Sequence, residues 1–209
     1  MTPAPDRRLL LLGFGALAAT TGCASLLTEP PRKLYKVTAN SDFPDLPQLK
    51  AQLLVDLPAA SQGLDTNRIA LSRSAVTLDY FADAEWTDRA PRLVQSALVE
   101  SFENSKAVTA IERETIGLRA DFVLKSDLRR FEAVYAPPQG APQVWVAVNV
   151  RLVKMPERVI VAQTSVERSA AATGNDVPTV VVAFSEALAA TNREIVLWAV
   201  RNPALSARR

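Results

Sequence analysis

The 209-residue chain contains no histidine. That absence excludes Ser-His and Cys-His nucleophilic catalysis, imidazole-ligated metals and the commonest general base. There is one cysteine, Cys23, so no internal disulfide can form, and its place ahead of the expected fold leaves no thiolate for catalysis or metal ligation there. Of seven glycines, Gly13, Gly15 and Gly22 fall near the N-terminus, while Gly63, Gly117, Gly140 and Gly174 stand singly. No phosphate-cradling loop can be assembled from them. No apolar run reaches the roughly 20 residues that a membrane-spanning helix needs. The formal net charge of +2 is close to balance and leaves no footprint for nucleic acid. Carboxylates do occur in pairs, Asp83 with Glu85 and Glu112 with Glu114, but in polar, charged stretches that read as solvated loop charges. Ser105-Lys106 and Lys125-Ser126 are chain neighbours, and strand neighbours point to opposite faces. The expectation is no enzyme, no cofactor and no metal.

What the chain does have begins with the surroundings of the cysteine. Arg7 and Arg8 precede the apolar stretch "LLLLGFGALAA" at 9–19, then Thr20, Thr21, Gly22 and Cys23. A basic start, a short apolar run and a small-residue site make a secretory signal. The Gly-Cys ending resembles a bacterial lipobox, with Thr20 where the usual pattern has Leu. Cleavage there would leave Cys23 as an acylated, palmitate-bearing N-terminus, which removes the liability of a lone exported thiol. Arg7-Arg8 suits the general or the twin-arginine export route. Removing residues 1–22 leaves 209 − 22 = 187 residues, enough for one stable domain. Residues 23–50 read as lipid anchor, spacer and a short first strand around Leu34–Val37, and residues 51–209 as a single domain.

Within that domain "AQLLVDLP" places Ala51, Leu53 and Val55 on one strand face, and Pro58 ends it. "RIALSRSAVTLDYF" reads as a hairpin, with Ile69 and Leu71 in one arm and Val76, Leu78 and Tyr80 in the other. Residues 88–104 change to helical period: Leu93, Val94, Ala97, Leu98 and Phe102 share a face, with Asp88 as N-cap and Pro91 in the first turn. "AVTAIER" returns to strand. "ADFVLKSDLRRFEAVY" carries Phe122, Leu124 and Leu128 on one face and Val123, Phe131 and Tyr135 on the other, its Arg129 and Arg130 suggesting a charged strand edge. "QVWVAVNVRLV" sets Val144, Val146, Val148, Val150 and Leu152 against Trp145, Ala147, Asn149 and Arg151, and "RVIVAQTSVERSAA" follows a short turn. Residues 177–201 form a long helix whose stripe Val177, Val181, Phe184, Leu188, Thr191, Ile195 and Trp198 is heptad-like. Val180, Ala187 and Leu197 widen it, so it suits sheet-covering better than a coiled coil. The expected fold class is α+β, a largely antiparallel sheet with two main helices packed on one face.

A lipobox-like site, a short "LYKV" strand, a strand ending in "VDLP", then "RIALSRSAVTLDYFADAEWTDRAPRLVQSALVESF" and "ADFVLKSDLRRFEA" together resemble the ABC-type transport auxiliary lipoproteins, the PqiC-like proteins that accompany Mce-type lipid transporters. The resemblance covers essentially the whole mature chain. It implies a non-enzymatic envelope lipoprotein working with a periplasmic Mce protein, a permease and an ATPase in moving lipid. Ala24 after Cys23 implies retention at the outer membrane, on its periplasmic face. Tyr80, Phe81 and Trp86, where a strand runs out before the first helix, are the expected partner-binding aromatics, since such side chains dominate interface hot spots. A lipid-binding shuttle and a cell-wall-binding structural lipoprotein are the alternatives, and a homo-oligomer is left open.

Overall fold

The computed structural model describes residues 32–113, 119–136 and 140–206. In chain order the elements are β1 (Lys33–Tyr35), β2 (Leu49–Val55), β3 (Ala59–Ala60), β4 (Arg68–Ser72), β5 (Asp79–Trp86), α1 (Ala90–Ser105) and β6 (Val108–Arg113). Then come β7 (Phe122–Val134), β8 (Gln143–Lys154), β9 (Val159–Ala171), α2 (Val177–Arg201) and the single turn α3 (Pro203–Ser206). The strands join in one nine-stranded sheet.

The alternation in β8 has the expected consequence. Val144, Val146, Val148, Val150 and Leu152 are each 0% exposed. Burying each such side chain contributes about 1.5–3 kcal/mol relative to leaving it in water. β8 pairs antiparallel with β7 along one edge and with β9 along the other. α1 and α2 pack against each other and share the core with this buried face. The α2 stripe covers the sheet, with Val180, Phe184, Leu188, Thr191 and Ile195 fully buried.

The sheet is mixed, which corrects the expectation of a largely antiparallel one. Five of its eight strand pairings among the described residues are parallel. The reason lies in β7. Its second edge takes three short strands in succession, all parallel to it: β2 beside Phe122–Leu124, β3 beside Asp127–Leu128 and β4 beside Ala133–Val134. The chain from 49 to 72 therefore travels one way along β7 and does not fold back. A crossover containing α1 then returns it to lay β6 parallel to β2, as parallel pairing requires.

Three local expectations are also corrected. The β7–β8 register slips between Leu128 and Arg130. One extra residue there flips the faces that follow, so Phe131 and Ala133 join Phe122, Leu124 and Leu128 in the core instead of lying opposite them. The second hairpin arm starts at Asp79, so Val76 and Leu78 lie in the loop. The N-cap of α1 is Arg89, without a side-chain cap bond; Asp88 accepts only the adjacent Arg89 N–H at 2.7 Å.

Helix α2 has a true cap. Asp176 accepts the Thr179 backbone N–H at 3.1 Å and its hydroxyl at 2.9 Å. These bonds favour the charged carboxylate and hold its pKa below the ordinary value. A depressed folded-state pKa adds stability above the unfolded value, and that stability is lost as pH falls through the folded one. Asp176→Ala is therefore expected to lower the melting temperature at neutral pH. The gap to wild type should close as pH drops below about 4, measured by thermal melts across pH.

Candidate docking surface

β5 is irregular where the sequence places its aromatics. Arg68 pairs with Glu85, yet Ala70 pairs with Tyr80, so β5 carries extra residues between these points. Asp83 takes up the distortion with φ of 53°, in the left-handed region that favours glycine. The two ends of the strand consequently have separate environments.

At one end Trp86 is 1% exposed. Its ring lies 5.5 Å from Phe131 and 5.1 Å from Phe184, the latter edge-on, and those two rings are 4.8 Å apart. The trio joins β5, β7 and α2 in the middle of the core. Trp86 therefore cannot serve as an exposed interface anchor in this fold, which corrects its assignment with Tyr80 and Phe81. Burial of the ring under α2 is the cause.

At the other end Tyr80 and Phe81 are only half-buried. The Tyr80 hydroxyl donates to the Gly63 carbonyl at 3.0 Å, and the Arg68 guanidinium sits 3.9 Å above its ring. Gly63 is a close-approach position: a Cβ there would meet Leu78 Cδ2 at 2.7 Å. Phe81 lies 6.5 Å from Tyr135, with no ring stack between it and Tyr80. Tyr135 lines a depression of about 740 Å³ between the loop at 73–78 and β7, together with Arg73, Arg130 and Glu132. Burial pushes the Tyr135 phenol up, and the charge of nearby Arg73 opposes that shift.

Arg130 is the polar centre of the depression. It donates to Glu132 at 2.9 Å and Glu167 at 2.8 Å, and its guanidinium lies 4.8 Å from the Trp145 ring centroid. Burial disfavours its charge, but the two carboxylates outweigh that and raise its pKa. The "LRRFE" segment was expected at a charged strand edge; it lies instead on β7, which has neighbours on both sides. Sequence reasoning missed Tyr135, Arg73 and Trp145 as partners of this surface. The available signal was Arg130 with Glu132, two apart on one strand and hence on one face. Of the carboxylate pair near Trp86, Glu85 is engaged by Arg32 and by Asn67 at 2.7 Å. Among the described residues no three metal-ligating side chains gather. The arrangement offers half-buried aromatics and paired charges, which can recognise a surface. Cys23 lies outside the described residues.

The model of the family described as ABC-type transport auxiliary lipoprotein component matches residues 36–196. The chain belongs to this family. Both main helices, every strand after β1 and the aromatic trio of this auxiliary lipoprotein fall within or overlap the matched span. The crystal structure of a Xanthomonas campestris protein is similar at 30% identity, with a TM-score of 0.72, covering 80% of this chain and 94% of that one. A crystal structure of an uncharacterized protein, 13% identical with a TM-score of 0.62 over 80% of this chain and 98% of that one, shares the fold. An uncharacterized Bradyrhizobium diazoefficiens protein is 32% identical over 152 residues, 73% of this chain and 40% of that protein. The chain thus spans 40% of the length of that curated relative.

Trp86→Ala should cost about 3–5 kcal/mol of stability, the range for emptying a large aromatic site in a packed core. Tyr80→Ala and Phe81→Ala should cost less, because each ring is already half in water. Urea midpoints of the three variants against wild type check the ranking.

Proposed function

We propose that this auxiliary lipoprotein is a non-enzymatic component of an Mce-type ABC lipid transport system. It is held by acylated Cys23 on the periplasmic face of the outer membrane and docks on a periplasmic Mce partner, which works with a permease and an ATPase. Family membership across residues 36–196 is the observation that carries the reading. No helix among the described residues is long and apolar enough to cross a membrane. The lipobox-like segment supplies an attachment of another kind, and Ala24 after Cys23 favours the outer membrane.

Docking is assigned to the flank of β5. Tyr80 and Phe81 are aromatic, half-exposed and fixed by packing against Arg68 and Tyr135, so little side-chain entropy remains to be lost on binding. A shuttle that carries lipid itself would need room for an acyl chain between sheet and helices. The mutual contact of Trp86, Phe131 and Phe184 fills the centre of that space, which favours docking over carrying.

Three expected outcomes test the reading. Cys23→Ala should move the protein from washed membranes to the soluble fraction and remove the mass of the acyl chains. Tagged wild-type protein, purified in mild detergent from cells producing the transporter, should bring down the Mce protein. A Tyr80→Ala, Phe81→Ala double variant that still melts cooperatively should weaken that association by roughly tenfold or more, as loss of a hot spot does. Failure of the wild type to recover any transporter component would refute docking.

A further inference from the structure

The loop at 73–78 presents an apolar side chain where a soluble surface would place a polar one. Val76 is 93% exposed at the tip, and Leu78 is exposed beside it. β4 and β5 carry this loop to one pole of the sheet, where β7 ends at Val134 and β8 begins at Gln143.

The direction of β1 indicates what covers the tip. β1 runs parallel to β5, with Lys33 opposite Ala84 and Tyr35 opposite Trp86. The chain therefore enters the fold heading away from the loop pole. Cys23 precedes Arg32 by 32 − 23 = 9 residues, a contour of at most about 30 Å. From Ala84 back to Asp79, where the loop ends, is 84 − 79 = 5 residues, at most about 17 Å of strand. The contour of the tether therefore exceeds the length of strand between β1 and the loop pole. The opposite pole, where residues 155–158 turn β8 into β9, is at the far end of β7, whose 13 residues extend about 40 Å. Reaching it would require the tether to double back over the sheet.

Charge fits as well. Arg73 stands at the base of the loop with its guanidinium 5.9 Å from the Tyr135 ring. Of the nearby carboxylates, Glu132 is engaged by Arg130, and Asp79 begins β5 directly after Leu78.

We infer that the loop at 73–78 contacts the lipid bilayer, with Val76 and Leu78 at the boundary of headgroups and acyl chains and Arg73 against lipid phosphate. The inference rests on the Cys23 tether proposed above. So small an apolar tip would hold a free protein weakly, but a tether of this length raises its effective concentration at the surface. The resulting orientation places the Tyr80 and Phe81 flank just above the membrane, so a partner docked there is brought to the lipid it serves.

Acylation of Cys23 leaves the mature protein with no free thiol, so a single Val76→Cys substitution gives one labelling site on the full chain. The label is a polarity-sensitive fluorophore. The acylated protein is reconstituted in phosphatidylethanolamine–phosphatidylglycerol vesicles containing lipids with brominated acyl chains. Val159→Cys, at the exposed start of β9 on the opposite pole, is the reference. Blue-shifted emission at position 76, with quenching several-fold above that at position 159, is the expected result. Flotation of the acylated protein with equal, water-like emission at both positions overturns the loop contact while leaving the tether intact. Failure to float, with Cys23 unmodified by mass, overturns the tether and the contact together.

Discussion

Strand β7 is paired on both edges, and the rest of the fold is arranged around it. One edge carries β8 over nearly its whole length, and the other carries β2, β3 and β4 one after another. A single strand thus aligns the early and late halves of the chain, and its bulge between Leu128 and Arg130 keeps the core face continuous. Without that extra residue, Phe131 would leave Trp86 and Phe184, and the ring contact between β7 and α2 would be lost. The aromatic trio is where that constraint becomes packing energy.

The sheet has helices on one side only, and its other face is managed by charge. Arg151 with Asp127 ties β8 to β7, Arg130 reaches Glu132 on its own strand and Glu167 on β9, and Lys125 on β7 pairs with Asp56 just past β2. Exposed pairs of this kind contribute little stability individually. Their consequence is solubility and register: a polar face of alternating sign gives no broad apolar patch for unspecific association. Against that background the apolar exceptions stand out at the loop of 73–78 and at the start of β9.

Family membership, the flank of Tyr80 and Phe81 and the exposed Val76 fit one physical arrangement. A transport auxiliary component needs to be kept at a membrane and to hold a partner there. In the proposed arrangement, acylated Cys23 supplies the first. In the same proposal, the half-buried Tyr80 and Phe81 on the flank of β5 supply the second.

The amino-acid pattern alone determined a good deal. Period-two alternation defined both faces of β8, helical periodicity located α2 at 177–201, and the absence of histidine excluded whole classes of chemistry. These are local properties of the backbone, or plain matters of composition. The resemblance to the family was legible in the Tyr80–Trp86 segment leading into the helix at Pro91–Phe102 and in the "LRRFEA" stretch. Strand direction was not legible, because alternation is the same in parallel and antiparallel strands and only the path of the crossovers distinguishes them. Nor was the side taken by Phe131, since one inserted residue inverts every side chain beyond it. For the same reason Trp86 and Tyr80 share a strand but not an environment: the distortion around Asp83 turns one into the core beneath α2 and leaves the other on the flank. Only tertiary packing decided that division, because only the fold brings Phe131 and Phe184 to Trp86.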